Sequence, residues 1–223
     1  MTIYKHVKDM TPVVEYLAER IANNLHAGKQ VLWLVSGGSA EAVAIAVSKQ
    51  LQGKDLRLLA VSLTDERYGP VGHADSNWQQ LLDGGFDVPG ASLLPVLETG
   101  ESFTLAAEAF SKNLHGLIGH ADYKLGLFGI GPDGHTAGVL PHSPALAATT
   151  YAVGYKGPDY QRITMTPTAI AKLDEAVVYA VGEAKWPVID GFDDAVSLED
   201  QPAQALKQVP MLTICNDRKG DSV

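Results

Sequence analysis

A glycine-rich turn that follows an apolar run carries the residues best suited to chemistry. Residues 126–141 read GLFGIGPDGHTAGVLP and present Asp133 and His135 directly after the apolar stretch. A neutral histidine acts as a general base on water when a carboxylate orients its ring. If His135 also began a helix, the helix dipole would favour the neutral imidazole. A flexible turn costs stability if it only connects two elements, so we expect catalysis here rather than a structural role.

A second candidate site is the short loop formed by Ser36, Gly37, Gly38 and Ser39. It lies between an apolar run and an alanine-rich helical pattern, where backbone N–H groups and the positive end of a helix favour an anion such as phosphate. The alternative is a tight turn in which Ser39 caps the helix. The loop matches neither the dinucleotide-binding nor the Walker pattern, so neither NAD nor ATP is indicated.

Three charged residues in succession, Asp65, Glu66 and Arg67, follow another apolar run. They are candidates for a ligand site, and the alternative is a surface ion-pair cluster. Arg162 opens an alternating strand pattern, and Lys185 lies in the first turn of a predicted helix. A lysine in that position opposes the helix dipole unless an anion is bound, so it indicates an anionic ligand.

Solid apolar runs alternate with helical patterns along the chain. The predicted strands span 30–35, 56–63, 124–130, 149–153, 162–166, 175–181 and 210–215. The first predicted helix begins at Thr11, whose hydroxyl would cap it, and ends at Gly28. Further helices are predicted over 40–51, in a short segment that follows Asn77 and ends at Leu82, and over 103–118. Two more are predicted to begin at Thr166–Pro167 and at Gly182. This alternation is typical of an α/β fold with a mainly parallel sheet. Ligands of such folds bind at the carboxyl ends of the strands. Four polar clusters lie at predicted strand ends here: SGGS (36–39), TDER (64–67), GPDGH (131–135) and GEAK (182–185).

The composition excludes several classes of protein. A net charge of −9 over 223 residues and a pI near 5.1 argue against nucleic acid or an anionic membrane as the partner. The single cysteine, Cys215, excludes an intrachain disulfide and a thiolate zinc site. The histidines other than His135 lack metal-ligand spacing with acids, so we expect no metal.

The sequence also indicates the cellular location and the domain organisation. No apolar run approaches the roughly 18 residues of a membrane span, and the first residues lack the apolar core of a signal peptide. We therefore expect a cytoplasmic protein that forms one α/β domain over residues 1–223, with a small second lobe as the alternative. The sequence leaves the oligomeric state open.

In their order along the chain, the motifs SGGS, TDER followed by SN, GxGPDGHTA, RIT and GxxK resemble those of the 6-phosphogluconolactonase family. The resemblance runs from about Val31 to Lys185. It implies a Rossmann-like, doubly wound sheet flanked by helices, shared with the related glucosamine-6-phosphate deaminases. It also implies hydrolysis of 6-phospho-D-glucono-1,5-lactone to 6-phosphogluconate, the second step of the oxidative pentose phosphate pathway. That reaction needs a base and charge stabilisation but neither a metal nor an organic cofactor.

The resemblance assigns roles to individual residues. His135 would activate the attacking water, Asp133 would shape and polarise the site, and Arg67 would stabilise the oxyanion or anchor the substrate. The residues implied to bind the sugar phosphate are Ser36, Gly37, Gly38, Ser39, Asp65, Arg162 and Lys185, with the last two as a cationic clamp for the phosphate.

This chain departs from the family pattern after the SGGS loop. Ala40 and Glu41 replace the usual Thr-Pro, which brings a carboxylate close to the proposed phosphate. Two alternatives to the lactonase stay open. A glucosamine-6-phosphate deaminase or isomerase would use a base such as Asp65, although DER in place of the DEY-like sequence of the deaminases favours the lactonase. A non-catalytic sugar-phosphate sensor is the other, although the chain is acidic and has no helix-turn-helix pattern.

Overall fold

The computed structural model describes residues 2–222, which form two sheets surrounded by helices. The strands are β1 Thr2–His6, β2 Val31–Val35, β3 Leu59–Leu63, β4 Asp65–Arg67, β5 Ser92–Leu94, β6 Tyr123–Phe128, β7 Ala152–Lys156, β8 Gln161–Met165, β9 Glu175–Ala180, β10 Met211–Asn216 and β11 Asp221–Ser222. The α-helices are α1 Thr11–His26, α2 Ser39–Gln50, α3 Asn77–Asp83, α4 Phe103–His120, α5 Pro167–Ile170 and α6 Trp186–Asp190. Short 3-10 helices cover Pro144–Ala147, Glu183–Lys185 and Pro202–Gln208.

The larger sheet has eight strands in the order β11-β1-β10-β9-β6-β2-β3-β5, and every neighbouring pair is parallel. The chain moves outward from β2 in one direction through β3 and β5, and in the other direction through β6 and β9. The strand order therefore reverses between β2 and β6, where such sheets form a ligand crevice. The predicted α/β fold with a mainly parallel sheet flanked by helices is confirmed.

The apolar runs form the central strands because both faces of the sheet are covered. All five residues of β2 are buried, and Trp33 at its centre is among the largest fully buried side chains. Strands covered on both faces read as continuous apolar runs, which is why the sequence reveals them. The main buried cluster also includes Ile163 and Met165 of the small sheet. The single-domain prediction remains a prediction.

Helix α1 begins where the sequence predicts, but its cap differs from the prediction. The N-cap residue is Met10, and no side chain caps the helix in the usual way. Instead the backbone N–H of Thr11 donates to Asp9 Oδ1 at 2.7 Å, so the expected capping role of the Thr11 hydroxyl is wrong. At α5 a threonine does cap the helix, since the Thr166 hydroxyl accepts from the N–H of Ala169 at 3.3 Å.

The sequence missed the elements that lack a solid apolar run. Strand β1 and the edge strands β5 and β11 are short or half-exposed. Strand β7 begins at Ala152, three residues later than the predicted strand 149–153. The charged triplet predicted to follow a strand is itself β4, which pairs antiparallel with β8 in the order β4-β8-β7. This small sheet brings its charged residues over the carboxyl ends of the larger one.

Candidate active site

A cavity of about 250 Å³ opens at the carboxyl ends of β2 and β6, where the strand order reverses. Its lining residues are Ser36, Gly37, Gly38, Ser39, Asp65, Arg67, Asn77, Gly129, Ile130, Gly131, Pro132, His135, Ala137, Arg162 and Lys185. The residues that the sequence singles out for the site line this cavity, with two exceptions: Asp133, which contacts His135 instead, and Glu66, which does not line it. The four polar clusters therefore meet in one place.

The turn after β6 holds the acid and the imidazole together. Asp133 Oδ1 lies 2.6 Å from His135 Nδ1 and also accepts the His135 backbone N–H at 3.1 Å. The turn permits this approach because Gly131 has no side chain: a Cβ there would lie 2.2 Å from the imidazole ring. A carboxylate at Nδ1 requires the proton on that nitrogen, which leaves the lone pair on Nε2. No helix begins at His135, so the expected contribution of a helix dipole is absent there. The tautomer is set by Asp133.

The Asp133 carboxyl is suited to this partnership. Partial burial favours a higher pKa, but the adjacent His135 imidazole and its backbone N–H outweigh burial and lower the pKa of Asp133. The carboxylate is therefore ionised at neutral pH and available to hold the ring. The two side chains remain partly exposed, at 50% for Asp133 and 35% for His135, so water reaches them.

The two serines of the SGGS loop have different surroundings. Ser36 Oγ is buried and lies 2.7 Å from Thr64 Oγ1, so its hydroxyl is engaged within the protein. Ser39 is the first residue of α2, and its hydroxyl accepts from Lys185 Nζ at 3.0 Å. The alternative in which Ser39 caps that helix is wrong, because no side chain caps α2. Gly38 reaches the helix with φ of 61°, a conformation suited to glycine.

Lys185 ends the 3-10 helix that precedes α6, rather than lying inside a regular first turn. Asp217 holds this segment by accepting the N–H of Gly182 at 3.1 Å and Trp186 Nε1 at 2.9 Å. Burial lowers the pKa of Lys185, and the charge of Asp217 opposes the shift. A desolvated ammonium beside Ser39 and the amino end of α2 is a favourable place for an anion.

The two arginines of the site lie opposite each other on the small sheet. Arg67 of β4 and Arg162 of β8 are register partners. Arg162 Nη2 donates to both oxygens of Asp159 at 2.9–3.0 Å, and Arg67 Nη1 donates to the carbonyl of Asp75 at 3.2 Å. The Nε atoms of both arginines are buried without a hydrogen-bond partner among residues 2–222. Buried unpaired donors of this kind favour an acceptor supplied from outside the chain.

Asp65 adds a carboxyl to the cavity wall. It is 5% exposed, and burial raises its pKa, against the effects of the Thr64 hydroxyl and of Arg162. Thr64 Oγ1 donates to Asp65 Oδ1 at 3.0 Å, which continues the hydrogen-bonded chain from Ser36. The alternative of a surface ion-pair cluster is wrong for this triplet, because Asp65 and Glu66 are both buried.

Glu66, adjacent to Asp65, is a support rather than a ligand group. Its carboxylate accepts from Ser76 Oγ at 2.8 Å and from the backbone N–H groups of Asn77 at 2.7 Å and Trp78 at 3.2 Å. Burial raises the pKa of Glu66, and these hydrogen bonds oppose that shift. The contacts join β4 to the start of α3 and so fix the loop that precedes Asn77.

One lining residue, Asn77, escaped sequence reasoning about individual residues. Asn77 donates from Nδ2 to the Asp65 carbonyl at 3.0 Å, and its buried Oδ1 has no partner in the described part of the chain. The spacing of the SN motif from the DER triplet was the available signal.

Glu41 lies in the first turn of α2, and partial burial raises the pKa of its carboxyl while the charge of Arg67 opposes the shift.

The described residues contain neither a helix suited to crossing a membrane nor a cluster of potential metal ligands. Among residues 2–222, no helix is both long and apolar enough to cross a membrane. Over the same residues, no three side chains of His, Cys, Asp or Glu are grouped as metal ligands would be.

A family comparison fits this geometry. The family described as glucosamine-6-phosphate isomerases/6-phosphogluconolactonase matches residues 8–214. The chain belongs to this family. Its matched segment includes all four clusters of the cavity, so the resemblance drawn from the motifs is confirmed.

The chain is also similar to individual 6-phosphogluconolactonases. The chain is 29% identical over 210 residues to a 6-phosphogluconolactonase of Pseudomonas aeruginosa, covering 87% of this chain and 85% of that protein. It is 32% identical over 150 residues to a 6-phosphogluconolactonase of Caulobacter vibrioides, covering 61% of this chain and 62% of that one. The crystal structure of a 6-phosphogluconolactonase from Shewanella baltica has the same fold, with a TM-score of 0.83 at 21% identity over 97% of this chain and 98% of the other.

Proposed function

We propose that this protein hydrolyses 6-phospho-D-glucono-1,5-lactone to 6-phospho-D-gluconate in the cytoplasm, as an enzyme of the oxidative pentose phosphate pathway. The observation that carries the proposal is the Asp133–His135 pair, with 2.6 Å between Oδ1 and Nδ1. The imidazole of this pair lines a cavity that also contains three cationic side chains. A base oriented by a carboxylate is what activation of water requires, and the cations match a phosphorylated substrate.

In this mechanism His135 Nε2 removes a proton from water as the water oxygen attacks the lactone carbonyl carbon. The tetrahedral intermediate then expels the ring oxygen, which takes the proton back from the imidazolium. One water molecule is consumed, the ester C–O bond breaks, and the new carboxylic acid ionises. Asp133 stabilises the imidazolium between the two steps, because its carboxylate lies at Nδ1.

The phosphate group of the substrate would bind at the amino end of α2. The backbone N–H groups at that helix start favour an anion, and Lys185 Nζ beside the Ser39 hydroxyl adds a charge-assisted donor. Arg162 completes the clamp, because its buried Nε has no hydrogen-bond partner among residues 2–222. Binding energy from this remote group then positions the lactone ring against His135.

The oxyanion of the intermediate would be stabilised by Arg67, whose buried Nε is unpaired in the part of the chain described here. Asp65 would accept a hydrogen bond from a sugar hydroxyl, since its carboxyl lines the same cavity. The reaction involves no change of oxidation state, so these side chains supply the base, the charge stabilisation and the positioning that it needs.

The test is an assay in which glucose-6-phosphate dehydrogenase generates the labile lactone in situ and 6-phosphogluconate formation is followed by a second dehydrogenase. We expect hydrolysis well above the spontaneous rate, and a loss of at least about tenfold in kcat/KM for Arg162→Ala and for Lys185→Ala. Arg57→Ala is the matched control, because that guanidinium pairs with Asp55 on the surface. Hydrolysis at only the spontaneous rate would refute the proposal.

A second candidate, deamination and isomerisation of glucosamine 6-phosphate, is favoured by one observation. Burial raises the pKa of the Asp65 carboxyl at the cavity wall, and a carboxyl of this kind suits proton transfer during ring opening. Release of ammonia from glucosamine 6-phosphate, lost in Asp65→Asn, would support this activity. Absence of ammonia together with lactone hydrolysis would leave the first proposal standing.

A further inference from the structure

One tyrosine outside the sequence-predicted site contacts both arginines of the cavity. The ring centroid of Tyr160 lies 5.1 Å from Arg67 Cζ and 5.7 Å from Arg162 Cζ. Both distances are within the range of a cation–π interaction. Tyr160 is half-buried at the turn that joins β7 to β8. A single aromatic ring therefore attracts both guanidinium groups.

This arrangement counteracts an electrostatic conflict on the small sheet. Arg67 and Arg162 are opposed in the β4–β8 register, and like charges directly opposite each other repel. Asp159 neutralises part of the charge of Arg162, and the side chain of Arg162 is only 11% exposed. Arg67 has a carbonyl partner in Asp75 but no carboxylate within ion-pair distance among residues 2–222. The ring of Tyr160 is thus the group that the two cations share.

The backbone around Tyr160 holds the ring in place. The N–H of Tyr160 donates to Asp159 Oδ1 at 2.9 Å, and its carbonyl accepts from the N–H of Gly157 at 2.8 Å. The same Asp159 carboxylate accepts from Arg162, so the turn, the ring and the guanidinium form one connected unit. The Tyr160 hydroxyl reaches Asp75 Oδ1 only at 3.5 Å, a weak contact at the limit of hydrogen bonding.

We propose that Tyr160 is a positioning residue that holds the guanidinium groups of Arg67 and Arg162 ready for an anionic sugar phosphate. This role rests on the proposed function for the identity of the ligand. Tyr160 acts through the arginines, by keeping two repelling cations at the cavity before the anion arrives. Such preorganisation improves binding because the ligand does not have to order the side chains itself.

The experiment measures binding rather than turnover, by isothermal titration of the full chain with 6-phospho-D-gluconate and, separately, with inorganic phosphate. Tyr160→Leu removes the ring, and we expect it to weaken 6-phospho-D-gluconate binding by about tenfold. Tyr160→Phe keeps the ring and restores binding to within about twofold of the natural protein. Tyr151→Leu is the matched control, because Tyr151 is a half-buried tyrosine that packs against His115 and does not line the cavity.

A double-mutant cycle separates positioning from general support of the structure. In an Arg67→Ala background one of the two cation–π contacts is already absent, so Tyr160→Leu should cost only about threefold. An undiminished tenfold loss in that background would overturn the proposal, as would equal losses in Tyr160→Phe and Tyr160→Leu. If Tyr160→Leu weakens the binding of inorganic phosphate but the natural protein hydrolyses no lactone, the proposed function is refuted and the role of Tyr160 stands.

Discussion

The two ends of the parallel sheet both carry clustered charges, but they treat those charges differently. At the amino end, Glu175 is 1% exposed at its side chain and accepts from Arg20 Nη2 at 2.7 Å and Arg20 Nε at 2.9 Å. The hydroxyls of Tyr16 and Tyr123 donate to the same carboxylate. Burial, together with this carboxylate, raises the pKa of both tyrosines, so they remain protonated donors.

At the carboxyl end, by contrast, several buried polar atoms lack hydrogen-bond partners. Arg67 Nε, Arg162 Nε and Asn77 Oδ1 are buried there without partners among the residues that the structure describes. A charge cluster that satisfies its own hydrogen bonds stabilises the fold, whereas one that leaves donors unpaired is organised for a ligand. The difference teaches that unpaired groups, rather than charge density, distinguish the candidate site from a structural network.

The sharpest test of this comparison is His135→Ala at the carboxyl end. Loss of the proposed general base should lower kcat by about 10²–10⁴-fold in the lactone assay. The free energy of unfolding should change by less than about 1 kcal/mol, because the side chain is partly exposed. His120→Ala, at the exposed end of α4, is the control and should alter neither quantity. Near-normal activity of His135→Ala would remove this residue as the base.

The converse test at the amino end is Glu175→Gln. The neutral amide cannot satisfy Arg20 and two tyrosines, so we expect a loss of about 2–4 kcal/mol in the free energy of unfolding, measured in urea. The kcat/KM of the folded variant should stay within about twofold of the natural value, since the site is at the other end. Asp174→Asn, next to it but 43% exposed and paired with Lys124, should cost less than about 1 kcal/mol. A large loss of activity with unchanged stability would contradict the structural role.

A third test joins packing to the site through Gly37. A Cβ at this position would lie 2.3 Å from Asn77 Oδ1, so Gly37→Ala must displace a buried side chain that is bonded to Asp65. We expect a destabilisation of about 1–3 kcal/mol together with weaker substrate binding. Gly116→Ala in α4 is the control, because no heavy atom lies within 4 Å of the added Cβ. It should stabilise the protein slightly through helix propensity.

The smallest expected effect is a pH dependence that Lys185 imposes on substrate binding. Burial lowers the pKa of this ammonium below the ordinary 10.5, and only the protonated form attracts the phosphate. KM should therefore rise a few-fold as pH increases through a range below the ordinary lysine value. Lys185→Arg, which keeps its charge at those pH values, should abolish the rise. A pH-independent KM in the natural protein would show that Lys185 stays charged or does not contact the phosphate.

Much of the site was predictable because its residues are read from short segments. Asp133 and His135 are two positions apart in one glycine-containing turn, so the sequence places both in one site, but only the structure shows that the carboxylate contacts the imidazole. The strands β2, β6 and β9 were predictable because solid apolar runs have few other uses in a chain of this composition. Strand β4 was missed because three charged residues carry no strand signal, and only pairing with β8 makes them a strand.

The roles of neighbouring serines show the limit of such inference. Ser36 and Ser39 are equivalent in the SGGS motif, yet one hydroxyl is buried against Thr64 and the other contacts Lys185. The pairing of Arg67 with Arg162, and the ring of Tyr160 beside both, depend on the register of the small sheet. Side-chain direction in these segments follows from backbone conformation that the sequence pattern does not reveal.

The amino-acid sequence by itself determined the α/β class, the family and the acid–imidazole turn, because each of these depends on residues that are near one another along the chain. The tertiary structure decided which hydroxyl meets the lysine, which carboxylates are buried, and which polar atoms lack a partner. Those properties depend on contacts between distant segments, where packing and desolvation decide whether a polar group is satisfied within the chain or left for a ligand.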